Sequence, residues 1–335
     1  MDIKAVETKF INILKNLKKN EDRFERCLGG YSYIQRHLQS EQTMFKYFYD
    51  LLNNTKYIRN SIEGNTLIDA GCGSGAFSLL LSLLGSKKVY AVDFLPECTE
   101  MAKEMVRIAE QDNIEVIQSD VGNLSMPEGS IDGIFSIEAI SHYRDYKTFF
   151  IMASKSLKHG GFIVISDGNN GTSPSIRKKT YKIWDIFENH RGAITIEGHT
   201  KGDECYFDAR KQIIRSEFPT LSETEVETFA KYSFGYSQKK VIEAANKFKR
   251  GDFSMKSEYS YGKCPLDPVT DCYMEKLFNP GDLKKELSVY GFKSRVYSVG
   301  PAKKSLRLLN HLWELLTPLT IYLPRAFKII AIKNG

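Results

Sequence analysis

The chain has 335 residues, 42% hydrophobic and 26% charged, with a formal net charge of +6. That is the make-up of a soluble globular protein of one large domain or two, and the mild charge with no nucleic-acid module argues against a nucleic-acid partner. Six scattered cysteines (Cys27, Cys72, Cys98, Cys205, Cys264 and Cys272) form no C-x-x-C pair, which argues against a zinc or disulfide framework and for a reduced, cytoplasmic setting.

Ile3, Val6, Phe10, Ile13, Leu14 and Leu17 recur at helical spacing among lysines and asparagines. They predict an amphipathic helix whose basic side is a solvated face. The N-terminus lacks a signal-peptide pattern, because charges are spread through its apolar positions. Gly29 and Gly30, with Tyr31 and Tyr33, break the helical pattern. A second helix is expected from Ser40 as N-cap, carrying Phe45, Phe48 and Leu52. Residues 1–62 thus read as a helical extension.

A strict alternation of strands and helices follows. The first strand ends at Asp69. A turn with glycines at 71, 73 and 75 leads into an apolar helix, and Cys72 fills a place in the turn where a small residue suffices. Strands are expected at 88–93, 114–118, 131–137 and 161–166. The helices between them span 96–109, with Pro96 in the first turn, and 145–157. This pattern predicts a Rossmann-like, doubly wound α/β sheet with its ligand at the carboxyl ends of the strands.

The glycines allow a sharp turn and let a ligand approach main-chain N–H groups. Two ligand types fit the turn. Gly71-x-Gly73-x-x-Ala76 matches a dinucleotide fingerprint, with Asp93 about 20 residues on for a ribose hydroxyl. Asp69, just before the first glycine, would repel a pyrophosphate and suit a ligand that carries an ammonium.

Asp69-x-Gly71-x-Gly73-x-Gly75 resembles the first motif of the class I S-adenosylmethionine-dependent methyltransferases, in their small-molecule and lipid branch (the type 11 pattern). Leu157-Lys158-His159-Gly160-Gly161 is similar to that family's turn into its fifth strand. The resemblance implies S-adenosylmethionine as cofactor. It implies that Asp69, Gly71, Cys72, Gly73 and Gly75 line the methionine end. Asp93 would take both ribose hydroxyls, with Phe94 beside it, and Asp120 and Val121 would meet the adenine. Ile137 would line the site past the fourth strand. Residues 136–142 match the segment along the family's methyl-transfer channel. Within it His142 and Glu138 are the candidate bases for a hydroxyl acceptor, with Asp167 and Asn169 weaker candidates at the same sheet edge. No metal-ligand constellation is expected.

After Asp167 the alternation stops. Residues 169–278 read as a helical insertion and acceptor-binding lid, with helices starting at Ser173-Pro174 and spanning 223–233 and 237–249. Residues 63–168 form the cofactor-binding core, and 279–335 complete a seven-stranded sheet with a helix and strands at 293–299 and 327–333. The connection 300–325 holds an amphipathic helix at 303–316 with a broad leucine face and a mostly basic opposite side. That face packs in the core or, continued to 323, touches a membrane surface. The longest apolar window, 315–324, contains two prolines and is too short to span a bilayer.

The expected function is methyl transfer to a small-molecule or lipid-like acceptor, on oxygen or carbon. A non-catalytic cofactor-binding regulator and an NAD-dependent oxidoreductase are the alternative functions.

Overall fold

The structure is a computed structural model that describes residues 2–19, 40–53, 62–196, 199–252, 254–299, 316–323 and 326–334. The expected helix at 303–316 lies outside these residues except for Leu316, and so do Tyr31 and Tyr33. The chain divides into two compact units: residues 1–140, 145–168 and 279–335 form the first, and 141–144 with 169–278 form the second.

The first unit begins with α1 (Ile3–Lys18) and α2 (Glu41–Asn53). Asp2 caps α1 by accepting from the Lys4 amide at 2.9 Å, and the Ser40 hydroxyl accepts from the Thr43 amide at the start of α2. The alternating core comprises β1 (Thr66–Ala70), α3 (Ala76–Leu83), β2 (Lys88–Asp93), α4 (Pro96–Ala109), β3 (Ile114–Gln118), β4 (Ile131–Ile137), α5 (Tyr146–Ser156) and β5 (Leu157–Asp167). β5 starts four residues before the expected 161. Leu157 already pairs with Ile131, and a register irregularity follows at Ile131/Gly133. Lys158-His159-Gly160-Gly161 is therefore an irregular part of the strand and not a separate turn into it.

The second unit holds α6 (Pro174–Asn189), the short hairpin β6 (Ile194–Ile196) and β7 (His199–Lys201), α7 (Tyr206–Glu217), α8 (Glu223–Tyr232) and α9 (Gln238–Lys249). Ser173 occupies the N-cap position of α6, but its hydroxyl lies 3.2 Å from that of Ser175 and makes no capping bond. Ser222 does form the expected capping box with Glu225. The chain then returns to the first unit with α10 (Pro280–Val289), β8 (Phe292–Ser298), a single helical turn at Thr317–Thr320, and β9 (Phe327–Lys333).

The seven strands order as β3-β2-β1-β4-β5-β9-β8. β1 to β5 run parallel, and β9 is antiparallel to both β5 and β8. β1, β4 and the second half of β5 are buried on both faces, which explains their apolar runs, while the edge strand β3 is largely open. α1 packs on α2, α3 and α4. Its inner face of Phe10, Leu14 and Leu17 merges with Leu79 and Leu80 of α3 and Met101 and Met105 of α4 in one apolar cluster. The extension is thus part of the core layer. Chain order reverses between β1 and β4, and the carboxyl ends of those strands flank the crevice where open α/β sheets bind ligands.

Candidate functional site

The turn after β1 folds back on β2. The Gly71 and Cys72 amides both donate to the Val92 carbonyl, at 2.8 and 2.9 Å. Gly71, Gly73 and Gly75 have φ of +76°, +52° and +79°, a backbone region that side chains other than glycine enter at a cost. The last two use space differently. A Cβ on Gly75 would stand 2.6 Å from Met105 Cε and 3.1 Å from Ala102 Cβ, so that glycine lets the turn pack on α4. A Cβ on Gly73 would meet nothing within 4 Å. Gly73 therefore exposes open main chain.

Asp93 ends β2, half-buried, with Phe94 half-buried after it. Its Oδ2 accepts from the Gly73 amide at 2.8 Å and its Oδ1 from the Leu95 amide at 2.9 Å. These bonds fix the carboxylate plane at the mouth of the turn, and a carboxylate oxygen accepts more than one hydrogen bond. Asp93 thus also braces the glycine turn, which the sequence reading did not foresee.

Asp69 lies beneath the turn and is 1% exposed. Its Oδ2 accepts from the Ser78 hydroxyl of α3 at 2.6 Å. Burial raises its pKa to about 7; the Ser78 bond opposes the shift and the nearby Asp93 charge adds to it. Ser78 went unnoticed in the sequence, although it stands in the first turn of the helix behind the motif.

Asp120 caps a short turn at Val121–Asn123 by accepting from the Gly122 amide at 2.8 Å, and Val121 is buried. A Cβ on Gly122 would lie 2.0 Å from Thr148 Oγ1, so this loop sits tight on α5. Ile137 ends β4 half-buried.

Glu138 follows with φ +50°. Its amide donates to the Ser166 carbonyl at 2.7 Å. Its Oε2 accepts from the Gly168 amide at 2.9 Å and its Oε1 from the Tyr47 hydroxyl at 3.2 Å. Tyr47 sits 91 residues earlier in the chain, and nothing in the sequence signals it. Asp167 is fully buried.

His142 belongs to the second unit and is exposed. Its Nδ1 lies 3.1 Å from the Tyr273 carbonyl. A carbonyl only accepts, so in the neutral ring Nδ1 carries the proton and Nε2 keeps a lone pair. Arg144 and Asp271, and Lys276 with the Tyr143 and Arg144 carbonyls, tie the same short segment to the loop before Phe278. The carbonyl of Asn169 accepts from the Phe278 amide at 3.0 Å. The structure thus gathers Asp69, the glycines and Asp93 into one cradle and sets Glu138 past β4 in the same unit.

Residues 68–165 match the family model described as a methyltransferase domain. Over 156 residues the chain is 28% identical to malonyl-[acyl-carrier protein] O-methyltransferase of Prosthecochloris aestuarii, covering 46% of this chain and 56% of that one. It is 34% identical over 113 residues to protein arginine N-methyltransferase 6 of Danio rerio, covering 32% and 31%. It is 31% identical over 106 residues to 2-methyl-6-phytyl-1,4-hydroquinone methyltransferase of Synechocystis sp., covering 32% and 33%. The chain therefore spans 56% of the first of these relatives and about a third of the other two. The match falls on β1 to β5, the strands that build the cradle. The acid–glycine turn, the sheet order with its antiparallel β9, and this match together show a methyltransferase domain at residues 68–165 with the class I fold.

Proposed function

We propose that the protein is an enzyme that transfers a methyl group from S-adenosylmethionine to a small-molecule or lipid-like acceptor. The observation that carries the reading is the Asp93 carboxylate held between the Gly73 and Leu95 amides, beside open glycine main chain. That donor set fits a ribose-bearing ligand with a cationic tail. Asp93 would accept from two hydroxyls. The glycine turn would admit the methionine end close to its main chain. Asp69 would answer the ammonium from beneath, where a buried carboxyl is ionised most readily beside a cation. Asp120 and Val121 would border the adenine, with Phe94 and Ile137 as apolar walls.

S-adenosylmethionine, when bound, supplies a methyl group already activated on a sulfonium. The protein's part is then to align an acceptor and exclude water. A hydroxyl acceptor also needs a base, and His142 is the candidate for it: the Tyr273 carbonyl fixes the tautomer that leaves Nε2 as the acceptor of a proton. We assign acceptor selection to the insertion, residues 169–278.

A lipid-like acceptor draws support from the relative that is named for a phytyl hydroquinone. Leu319 is 74% and Tyr322 61% exposed, and Leu316 and Leu323 are exposed as well. We read 303–323 as a reversible membrane contact of a cytoplasmic enzyme. No described helix is long and apolar enough to cross a membrane. A protein acceptor is the second reading, on the 34% identity to an arginine methyltransferase.

The test is release of S-adenosylhomocysteine on incubation with labelled cofactor and three acceptor sets: quinol-type lipids in vesicles, soluble phenols and acids, and arginine-rich proteins. Turnover with either of the first two sets is expected. Turnover with proteins alone would replace the acceptor assignment.

A further inference from the structure

The crevice between β1 and β4 has two lips. One is the glycine turn that enters α3. The other is Ile137 and Glu138 past β4. Helix α2 reaches both with consecutive residues. The Phe48 ring meets Phe77, in the first turn of α3, edge to face at 5.1 Å. The Tyr47 hydroxyl donates to Glu138 at 3.2 Å.

Glu138 is held from both sides. One carboxylate oxygen accepts a hydrogen bond from a side chain of α2 and the other from the amide of Gly168 after β5, which suits a group that positions others. Its backbone is held at φ +50°, which a residue other than glycine adopts only when its surroundings insist. The bond from its own amide to Ser166 supplies part of that insistence. Gly168 leaves room for the carboxylate; a Cβ there would stand 3.3 Å from Oε2. Burial, and then the Glu138 charge, hold the Tyr47 pKa well above the ordinary tyrosine value, so the phenol stays a donor.

We propose that Tyr47 and Glu138 form a latch that holds α2 across the cofactor crevice, with Glu138 a positioning residue and not the catalytic base. The inference rests on the reading that this crevice binds S-adenosylmethionine. A bound cofactor and a closed latch then stabilise each other, because the latch fixes both lips at once.

The test is calorimetric titration with S-adenosylhomocysteine, together with amide hydrogen exchange in α2. Tyr47→Phe deletes one hydroxyl and keeps the ring, and circular dichroism checks its fold. It should weaken binding about 10–100-fold, the scale of one hydrogen bond to a charged group. It should also abolish the slowing of α2 exchange that the ligand produces in the wild type. Glu138→Ala should match it, and the double variant should bind no worse than either single one. Glu138→Gln, which keeps an acceptor, should recover most of the affinity. Wild-type affinity in Tyr47→Phe, or losses that multiply in the double variant, would overturn the latch. Asp93→Ala separates the two readings. If it weakens binding while Tyr47→Phe does not, only the latch fails; if the wild type binds no S-adenosylhomocysteine, both fail.

Discussion

In the first unit apolar contact runs unbroken from the N-terminal extension to the sheet centre. Phe48 meets Phe77 at 5.1 Å, Phe77 meets Phe135 at 5.3 Å, and Phe135 meets Phe162 at 5.5 Å, each edge to face. In the second unit a fully buried Arg210 stands where such a chain would be. It pairs with the buried Glu188 and donates to the Ala230 carbonyl at 3.0 Å. Around it lie a small cluster of Ile214, Val226, Phe229, Ala230, Val241 and Ala245 and a set of ion pairs, Lys211–Glu223 and Arg215–Glu223 among them. The sheet unit is specified by shape and area, which many sequences can supply. The helical unit depends on individual charged groups, so it should be easier to break with one substitution and easier to re-specify.

Arg210→Met tests that contrast with the largest expected effect. It strands Glu188, whose pKa burial already raises against the pull of Arg210. The loss should be about 3–5 kcal/mol, confined to the second unit. Differential scanning calorimetry should show one transition moving down while the transition raised by S-adenosylhomocysteine stays put. Adding Glu188→Leu should recover much of the loss, because no buried charge then remains. A single transition that shifts as a whole would show that the units do not unfold independently.

Asp93→Ala is the matching break in the first unit. It removes a charged acceptor from the ligand and the brace from the Gly73 amide. Binding of S-adenosylhomocysteine should weaken by about 1.5–3 kcal/mol, or 10–100-fold, in equilibrium dialysis.

Asp69 gives the first unit a pH signature. Its folded pKa of about 7 lies above the ordinary carboxylate value, so the folded state holds the extra proton. The stability this contributes is full below about pH 4 and is lost as pH rises through about 7. The melting temperature of the wild type should therefore fall between pH 5 and 7.5 by more than that of Asp69→Asn. An equal fall in both proteins would assign the slope to other groups. Cofactor binding should favour the ionised carboxyl, so affinity should rise over the same interval.

The smallest effect belongs to the helix caps of the second unit. Ser222→Ala removes half of the α8 capping box and should cost about 1 kcal/mol, read as a shift in the urea midpoint.

The same contrast explains what the sequence reveals. The strands at 88–93, 114–118 and 131–137 are read to the residue, because the apolar positions of each stand between polar, acidic or glycine boundaries. The cradle is legible for the same reason: its residues sit at fixed offsets from strand ends. Helix α7 escapes notice because its buried face carries Arg210 and Lys211, which spoil the apolar period. The hairpin β6–β7 has three residues per strand, too few for an alternation to register. The early start of β5 is hidden by the glycines at 160 and 161, which imitate a turn. Tyr47 and Ser78 are missed because a hydroxyl's partner across the fold leaves no local trace. The bonds of Glu138 to Tyr47 and Gly168 belong to a side-chain geometry that no spacing encodes.

Isothermal titration of the full chain with S-adenosylhomocysteine and, separately, with NAD bears most directly on the central claim. One molecule of S-adenosylhomocysteine should bind per chain, more tightly at pH 7.5 than at pH 5.5, with no heat from NAD. Binding of NAD, or no binding of S-adenosylhomocysteine at either pH, would contradict the assignment of the cradle.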